Sequence, residues 1–283
     1  MFYFSDAQLD QLLLDDIQYG DLTTRALGFG HKQGEMCFKR KTAGRVSGVD
    51  VAQRLLSKLS LTVEINQPDG CDVEAGDTLL IARGSAENLH QGWKVVQNVL
   101  EWSCGVADYM ANMVKIAQQI NPKVRIACTR KSIPGTKFLA IPAVIHGDGI
   151  LHRAGTAETI LLFANHRYFY TDPTDWQAQI ARLRLDTPEK KIIVEADDVA
   201  EALAALQGQP DILQLDKFSF TDIATVLQQQ KVIAPSCLIS LAGGITLESV
   251  QHYAETGVIL LVTSAPYYAD PTDIKVVLTP NTD

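Results

Sequence analysis

The apolar positions of this chain change period partway along it. Behind Ser5, which forms an S-x-x-Q capping box with Gln8, residues Leu9, Leu12, Leu13 and Ile17 recur at helical spacing. This predicts a first helix that ends at Gly20-Asp21-Leu22-Thr23-Thr24. Between residues 34 and 83, strand and turn signals surround one helix. Glu35–Arg40, Leu61–Ile65 and Thr78–Ala82 read as strands, Val51–Leu59 as a helix and Pro68-Asp69-Gly70 as a turn. Ser85 can cap a long helical pattern from Ala86 to about Gln119, expected to be interrupted near Ser103–Gly105 and to stop at Asn121-Pro122.

After Pro122 short apolar runs take over: Val124–Cys128, Thr159–Leu162, Ile192–Val194, Ile212–Leu215, Leu238–Leu241 and Ile259–Val262. Helical patterns separate the later ones, at Val199–Leu206, Thr221–Gln229 and Thr246–Ala254. Strand, polar residue, loop and helix in repetition are the signature of βα units on a parallel sheet, and six or more units favour a barrel. A barrel of this kind gathers its active site at the C-terminal strand ends. The polar residues there are Thr129-Arg130-Lys131, Glu195, Asp216-Lys217, Gly243-Gly244 and Thr263-Ser264.

Composition narrows the function classes. With 283 residues and 46% hydrophobic content the chain can bury a full core in one or two domains. A formal net charge of −8 argues against duplex nucleic acid as a partner. No apolar run is long enough to span a bilayer. The start, M-F-Y-F-S-D-A-Q, has no basic region leading into an apolar core, so a cytoplasmic location is expected. The five cysteines are scattered and form no C-x-x-C, which reads as reduced thiols rather than a disulfide frame or zinc site.

Against this acidic background the stretch from Cys128 to His166 is cationic. It carries Arg130, Lys131, Lys137, Arg153, His146, His152 and His166 against only Asp148 and Glu158. Its cations flank the loop signals Pro134-Gly135 and Gly147-Asp148-Gly149, and fixed guanidinium and ammonium groups on tight loops suit a small carboxylate or phosphate.

In order, the chain contains T-R-K-x-x-P-G from Thr129, H-x-x-G from His146, His152-Arg153, Asn165-His166, Val194-Glu195, Leu215-Asp216, Ala242-Gly243-Gly244 and A-E-T-G-V from Ala254. This series, from Gly20 to Ala265, resembles the type II phosphoribosyltransferases typified by quinolinate phosphoribosyltransferase. Within that family it looks most like the ModD branch, pyrophosphorylases associated with molybdate-transport operons. The resemblance implies an N-terminal α/β sandwich over residues 1–107 and an irregular α/β barrel over 108–268, with the tail 269–283 packing back on the first domain. It further implies a homodimer with a shared active site, phosphoribosyl pyrophosphate as cosubstrate and Mg²⁺.

Site roles follow from the same resemblance. Thr129 and Arg130 fall on the grip for a substrate carboxylate, where each charge-assisted bond gives about 1.5–3 kcal/mol. Lys131 falls near the ribose or pyrophosphate, and His152-Arg153 on the pyridine carboxylates. Glu195 and Asp216 fall on the ribose hydroxyls and the Mg-pyrophosphate, and the turns Ala242-Gly243-Gly244 and Thr263-Ser264-Ala265 on phosphate. Glu195 and Asp216 could instead cap helices. His166 reads as supporting architecture, and His146 inherits no role.

The pattern also breaks. Trp93-Lys94 stands where the family has Glu-Arg, so Lys94, expected in the partner's site, keeps the charge without the fork. Phe163-Ala164 replaces a Lys and a carboxylate, which predicts poor handling of quinolinate itself. Lys217 follows Asp216 where the family often has Asn, and is expected to point outward. Two other classes fit parts of the pattern. One is a catalytically degenerate small-anion binding or sensing protein in molybdate metabolism. The other is an aldolase, which would need a Schiff-base lysine inside a strand; Lys191 precedes its strand.

Overall fold

The computed structural model of the protein describes residues 2–281. By their contacts the residues fall into two units. One holds the chain up to Ala111 together with Ser132–Asp148 and the segment from Pro266 on; the other holds Asn112–Lys131 and Gly149–Ala265.

The first unit begins with α1 (Asp6–Ile17), where Ser5 Oγ accepts from Gln8 N at 3.3 Å and Gln8 Oε1 accepts from Ser5 N at 3.0 Å. Then come α2 (Leu22–Leu27), β1 (Gln33–Arg40), β2 (Gly44–Arg45), α3 (Val49–Lys58), β3 (Thr62–Ile65), β4 (Asp72–Val73), β5 (Thr78–Ser85) and α4 (Ala86–Ile120). Strands β3, β5 and β1 pair antiparallel. Alternation on β1 buries Met36 and Phe38 with Leu55 and Leu56 of α3 and Leu79 and Leu80 of β5. Arg40 lies on the same buried face, and its guanidinium bonds Asp108 at 2.8 Å and the carbonyl of Thr42 at 3.1 Å. Both partners are needed, because an unpaired buried guanidinium costs far more than the pair contributes.

The expected interruption of the long helix is absent. α4 runs unbroken through Ser103-Cys104-Gly105. Gly105 serves packing: a Cβ there would run into the backbone carbonyl of Asp270.

The chain continues through β6 (Arg125–Cys128) and α5 (Lys137–His146), a helix of the first unit that the Pro and Gly signals around it concealed. After these come β7 (Ile150–Leu151), β8 (Ile160–Leu162), α6 (Ala164–Arg167), α7 (Trp176–Asp186), β9 (Ile192–Ala196), α8 (Val199–Gln207), β10 (Ile212–Asp216), α9 (Phe220–Ile233), β11 (Leu238–Ala242), α10 (Val250–Glu255) and β12 (Leu260–Thr263). All six anticipated apolar runs form strands. The seventh, β7, is only two residues long, too short to show a period.

The second unit's strands are parallel in the order β7-β6-β12-β11-β10-β9-β8. Pairing of β12 with β6 brings the last strand beside the first. The sheet stays open, with β7 and β8 as its edges, and because residues at the ends of all seven strands line one cavity it curls around that cavity as a half-barrel rather than a closed, regular barrel. Alternation on β10 buries Leu213 and Leu215 on one face and turns Gln214 and Asp216 to the other. The final strand, β13 (Ile274–Pro280), pairs antiparallel with β1 from Gly34↔Pro280 to Arg40↔Ile274, so the tail extends the first unit's sheet.

All five cysteines are free. Among the described residues no helix is long and apolar enough to cross a membrane.

Candidate active site

A cavity of about 390 Å³ opens in the second unit at the C-terminal strand ends. It is lined by Thr129, Arg130 and Lys131 after β6, His152 and Arg153 after β7, Phe163 after β8, Glu195 on β9, and Asp216 and Lys217 at the end of β10. Ala242-Gly243-Gly244 after β11 and Thr263-Ser264-Ala265 after β12 complete it. Every residue given a catalytic, substrate-binding, phosphate-binding or metal role from sequence lines it except Lys94. Lys94 lies on α4 in the first unit, bonds Gln97 at 2.9 Å and sits over the Trp93 ring at 4.5 Å.

Glu195 and Asp216 are not helix caps. Asp198 caps α8 and Ser219 caps α9, leaving both carboxylates at the cavity. Glu195 is held above the usual carboxylate range. Burial is the main cause and the charge of Asp216 adds to it, while the bond from Gln214 opposes it. That bond, Gln214 Nε2 to Glu195 Oε2, is 2.6 Å long. Gln214 was overlooked, although its place two residues before Asp216 on a strand was a signal that it shares Asp216's face.

The cationic wall is partly buried. Arg153 is only 9% exposed, and burial together with the nearby Arg130 charge lowers its hold on its proton. Its guanidinium lies 5.8 Å from the centroid of Phe163. Phe163 in turn stacks on His166, whose Nδ1 accepts from Phe163 N at 3.1 Å. The ring thus occupies a built position beneath the arginine, and His166 supports it, as the sequence suggested.

Burial, helped by Arg153, pushes the His152 imidazole down to about 4. His152 should therefore be neutral at pH 7, a hydrogen-bonding group rather than a cation. Between its ordinary value of 6.5 and about 4 the unfolded chain takes up a proton that the folded chain refuses, so this group withdraws stability as pH falls through that window. A histidine NMR titration that put the His152 midpoint near 6.5 would refute this.

Gly243 and Gly244 both adopt positive φ, +86° and +73°. A Cβ on Gly243 would strike Lys217 and lie 2.6 Å from Asp216 Oδ1. Glycine there lets this turn close against the end of β10. Thr263 Oγ1 donates to the Ile245 carbonyl at 2.6 Å and accepts from Ala265 N at 3.0 Å, tying the two turns together. Neither turn leads straight into an α-helix. Residues 245–249 precede α10, and Ala265–Tyr268 is a 3₁₀ turn. The turns thus line the cavity without the N-terminus of an α-helix directly behind them.

Lys217 is solvated, as expected, but it also borders the cavity. Its side chain is 78% exposed and lies 3.8 Å from Asp216, with a left-handed backbone at φ +56°. Among the described residues no cluster of three or more His, Cys, Asp or Glu could hold a metal alone. The adjacent pair Glu195 and Asp216 does fit a Mg²⁺ ion that keeps waters and shares phosphate oxygens, since such ions use one or two carboxylates.

A parallel α/β sheet with a cationic wall, a carboxylate pair and two glycine- and threonine-containing turns around one cavity fits an enzyme that handles small anions, and sequence comparison gives the family. The pattern of the quinolinate phosphoribosyl transferase N-terminal domain matches residues 21–104, and that of the C-terminal domain residues 106–277. The chain belongs to this family of pyrophosphorylases, which are pentosyltransferases. It is 53% identical over 280 residues to "Putative pyrophosphorylase ModD" of Escherichia coli O157:H7, covering 99% of each chain. It is 29% identical over 258 residues to the carboxylating nicotinate-nucleotide pyrophosphorylase of Mycobacterium leprae, covering 89% of each. Among solved structures, a NadC deletion mutant superposes with a TM-score of 0.89 at 25% identity, covering 99% of this chain and 100% of that one.

Proposed function

We propose that the protein transfers the phosphoribosyl group of phosphoribosyl pyrophosphate to a small aromatic acid other than quinolinate, one with a single carboxylate beside Arg153 and an apolar edge toward Phe163. The observation that carries this reading is the Arg153–Phe163 pair, a largely buried cation backed by a ring instead of by a second cation. A dicarboxylate would leave one charge against that ring, at a cost of several kcal/mol on the order of a desolvated unpaired ion.

Arg130 and Arg153 hold the acceptor's carboxylate, and neutral His152 supplies a hydrogen bond that leaves the net charge unchanged. A ring nitrogen of the acceptor attacks the anomeric carbon as the bond to the pyrophosphate oxygen breaks, and the electron pair leaves with pyrophosphate. The ribosyl carbon is electron-poor at that moment, and the Glu195 and Asp216 carboxylates stabilise it across the cavity. Glu195 and Asp216 are also the residues that would hold a Mg²⁺ ion, which would supply charge neutralisation for pyrophosphate. Lys131 and the turns at Gly243-Gly244 and Thr263–Ala265 hold phosphate groups. Lys94, exposed and outside its own chain's cavity, is assigned to the site of a second copy in a homodimer. The five free thiols suit a cytoplasmic setting.

The test is pyrophosphate release from phosphoribosyl pyrophosphate and Mg²⁺ across a panel of aromatic mono- and dicarboxylates, with molybdate included as a competing anion. Turnover with a monocarboxylate, at least about 10-fold faster than with quinolinate, is the expected result. Quinolinate as the preferred acceptor would overturn the substrate class. Binding of phosphoribosyl pyrophosphate without release under any condition would favour the sensing reading.

A further inference from the structure

Inside the barrel, neighbouring strands place Glu195, Gln214 and Ser240 side by side, since Gln214 is in register with Glu195 on β9 and with Ser240 on β11. Gln214 is 4% exposed and Ser240 fully buried. The Gln214 amide donates to Glu195 Oε2 at 2.6 Å, while its own Oε1 is buried with no partner, as is the Ser240 hydroxyl. A buried amide left half-satisfied costs stability, and a leucine or methionine of similar volume would remove that cost. Packing therefore does not account for a glutamine here; its bond to Glu195 does.

We infer that Gln214 is a positioning residue. It clamps one oxygen of Glu195, fixes the side chain's rotamer at the cavity wall and leaves the other oxygen for the substrate. The inference rests on the phosphoribosyl-transfer reading for its kinetic consequence, but not for its structural one. Without the clamp, Glu195 on its strand end is free to turn, and the negative charge no longer has a fixed place relative to the ribosyl carbon. The bond is to a charged acceptor, so losing it should affect the step in which that charge matters more than the binding of the acceptor acid.

The experiment uses the full-length variants Gln214→Leu, Gln214→Met and Ser240→Ala. The two Gln214 variants are expected to melt at or above the wild-type temperature and to show Glu195 displaced in their crystal structures. With the acid that wild type turns over, kcat should fall about 10- to 100-fold while KM for that acid stays within about twofold. Ser240→Ala, which removes a hydroxyl that does not touch Glu195, should leave kcat unchanged. The inference is overturned if Glu195 keeps its rotamer without Gln214, if kcat holds, or if Ser240→Ala lowers kcat equally. If wild type releases no pyrophosphate with any acid, the phosphoribosyl-transfer reading fails instead, and the position of Glu195 in the variant crystals still decides this inference. Should Gln214→Leu fail to fold, Gln214→Met, which has no branch to accommodate, carries the same readouts.

Discussion

Glu195→Gln should slow pyrophosphate release by about 100- to 1,000-fold, equivalent to ~2.7–4 kcal/mol of transition-state stabilisation, with little change in the KM of the acceptor acid. The substitution keeps the shape of the side chain and removes only its charge. Burial already opposes that charge, and Asp216 beside it opposes it further, so the fold holds a costly carboxylate at this place. Such an expense is intelligible if negative charge is needed against an electron-poor carbon or a metal-bound pyrophosphate. A loss of less than about threefold would remove Glu195 from the mechanism. The same variant also tests the proposal that Lys94 serves the site of a second copy. Mixing it with Lys94→Ala under conditions that exchange subunits should recover activity, because one site of the mixed dimer then has both residues intact. No recovery from exchanged subunits would confine Lys94 to a local role on α4.

Gly105→Ala should destabilise the protein by about 3 kcal/mol, reversing the gain of up to ~1 kcal/mol that helix propensity alone assigns to Gly→Ala. In the interior of α4 alanine is the better helix former. Here, however, its methyl meets the Asp270 backbone carbonyl, which cannot turn aside as a side chain can. Gly92, on the same helix, is the internal control. A Cβ there lies 2.8 Å from Leu56 Cδ2, the end of a flexible side chain, so Gly92→Ala should cost much less. Thermal or urea unfolding of the two variants measures the difference. Equal stability of both would show that the approach to Asp270 relaxes freely, and that Gly105 has no packing role.

The two glycines also show how far a local pattern reaches. Gly105 beside Ser103 reads as a helix breaker, because a sequence window registers low helix propensity and does not contain Asp270, far along the chain. The barrel strands were legible because their apolar runs are continuous and their turn signals frequent. β7 was not, since two residues carry no period. α5 was hidden between Pro134-Gly135 and Gly147, where turn residues outweigh a short apolar stretch.

The candidate site divides the same way. Arg130, Glu195, Asp216 and the glycine turns could be placed on the rim from sequence because they follow legible strands, whereas His152 and Arg153, after the short β7, were reached only through the resemblance, which also supplied the roles of all of them. Their physical states could not be read in either way. That His152 is uncharged follows from burial beside Arg153, and that Glu195 resists ionisation follows from its depth and from Asp216 on the next strand. Sequence showed that Phe163 removes a cation; only the fold sets that ring beneath Arg153 and against His166. Gln214 was passed over because its meaning depends on which strand lies alongside. The chain by itself thus determines the order of strands and which chemical groups reach the barrel's rim, since both are local consequences of apolar period and turn chemistry. Register, burial and mutual charge are properties of neighbours distant in sequence, and only the tertiary structure decides them.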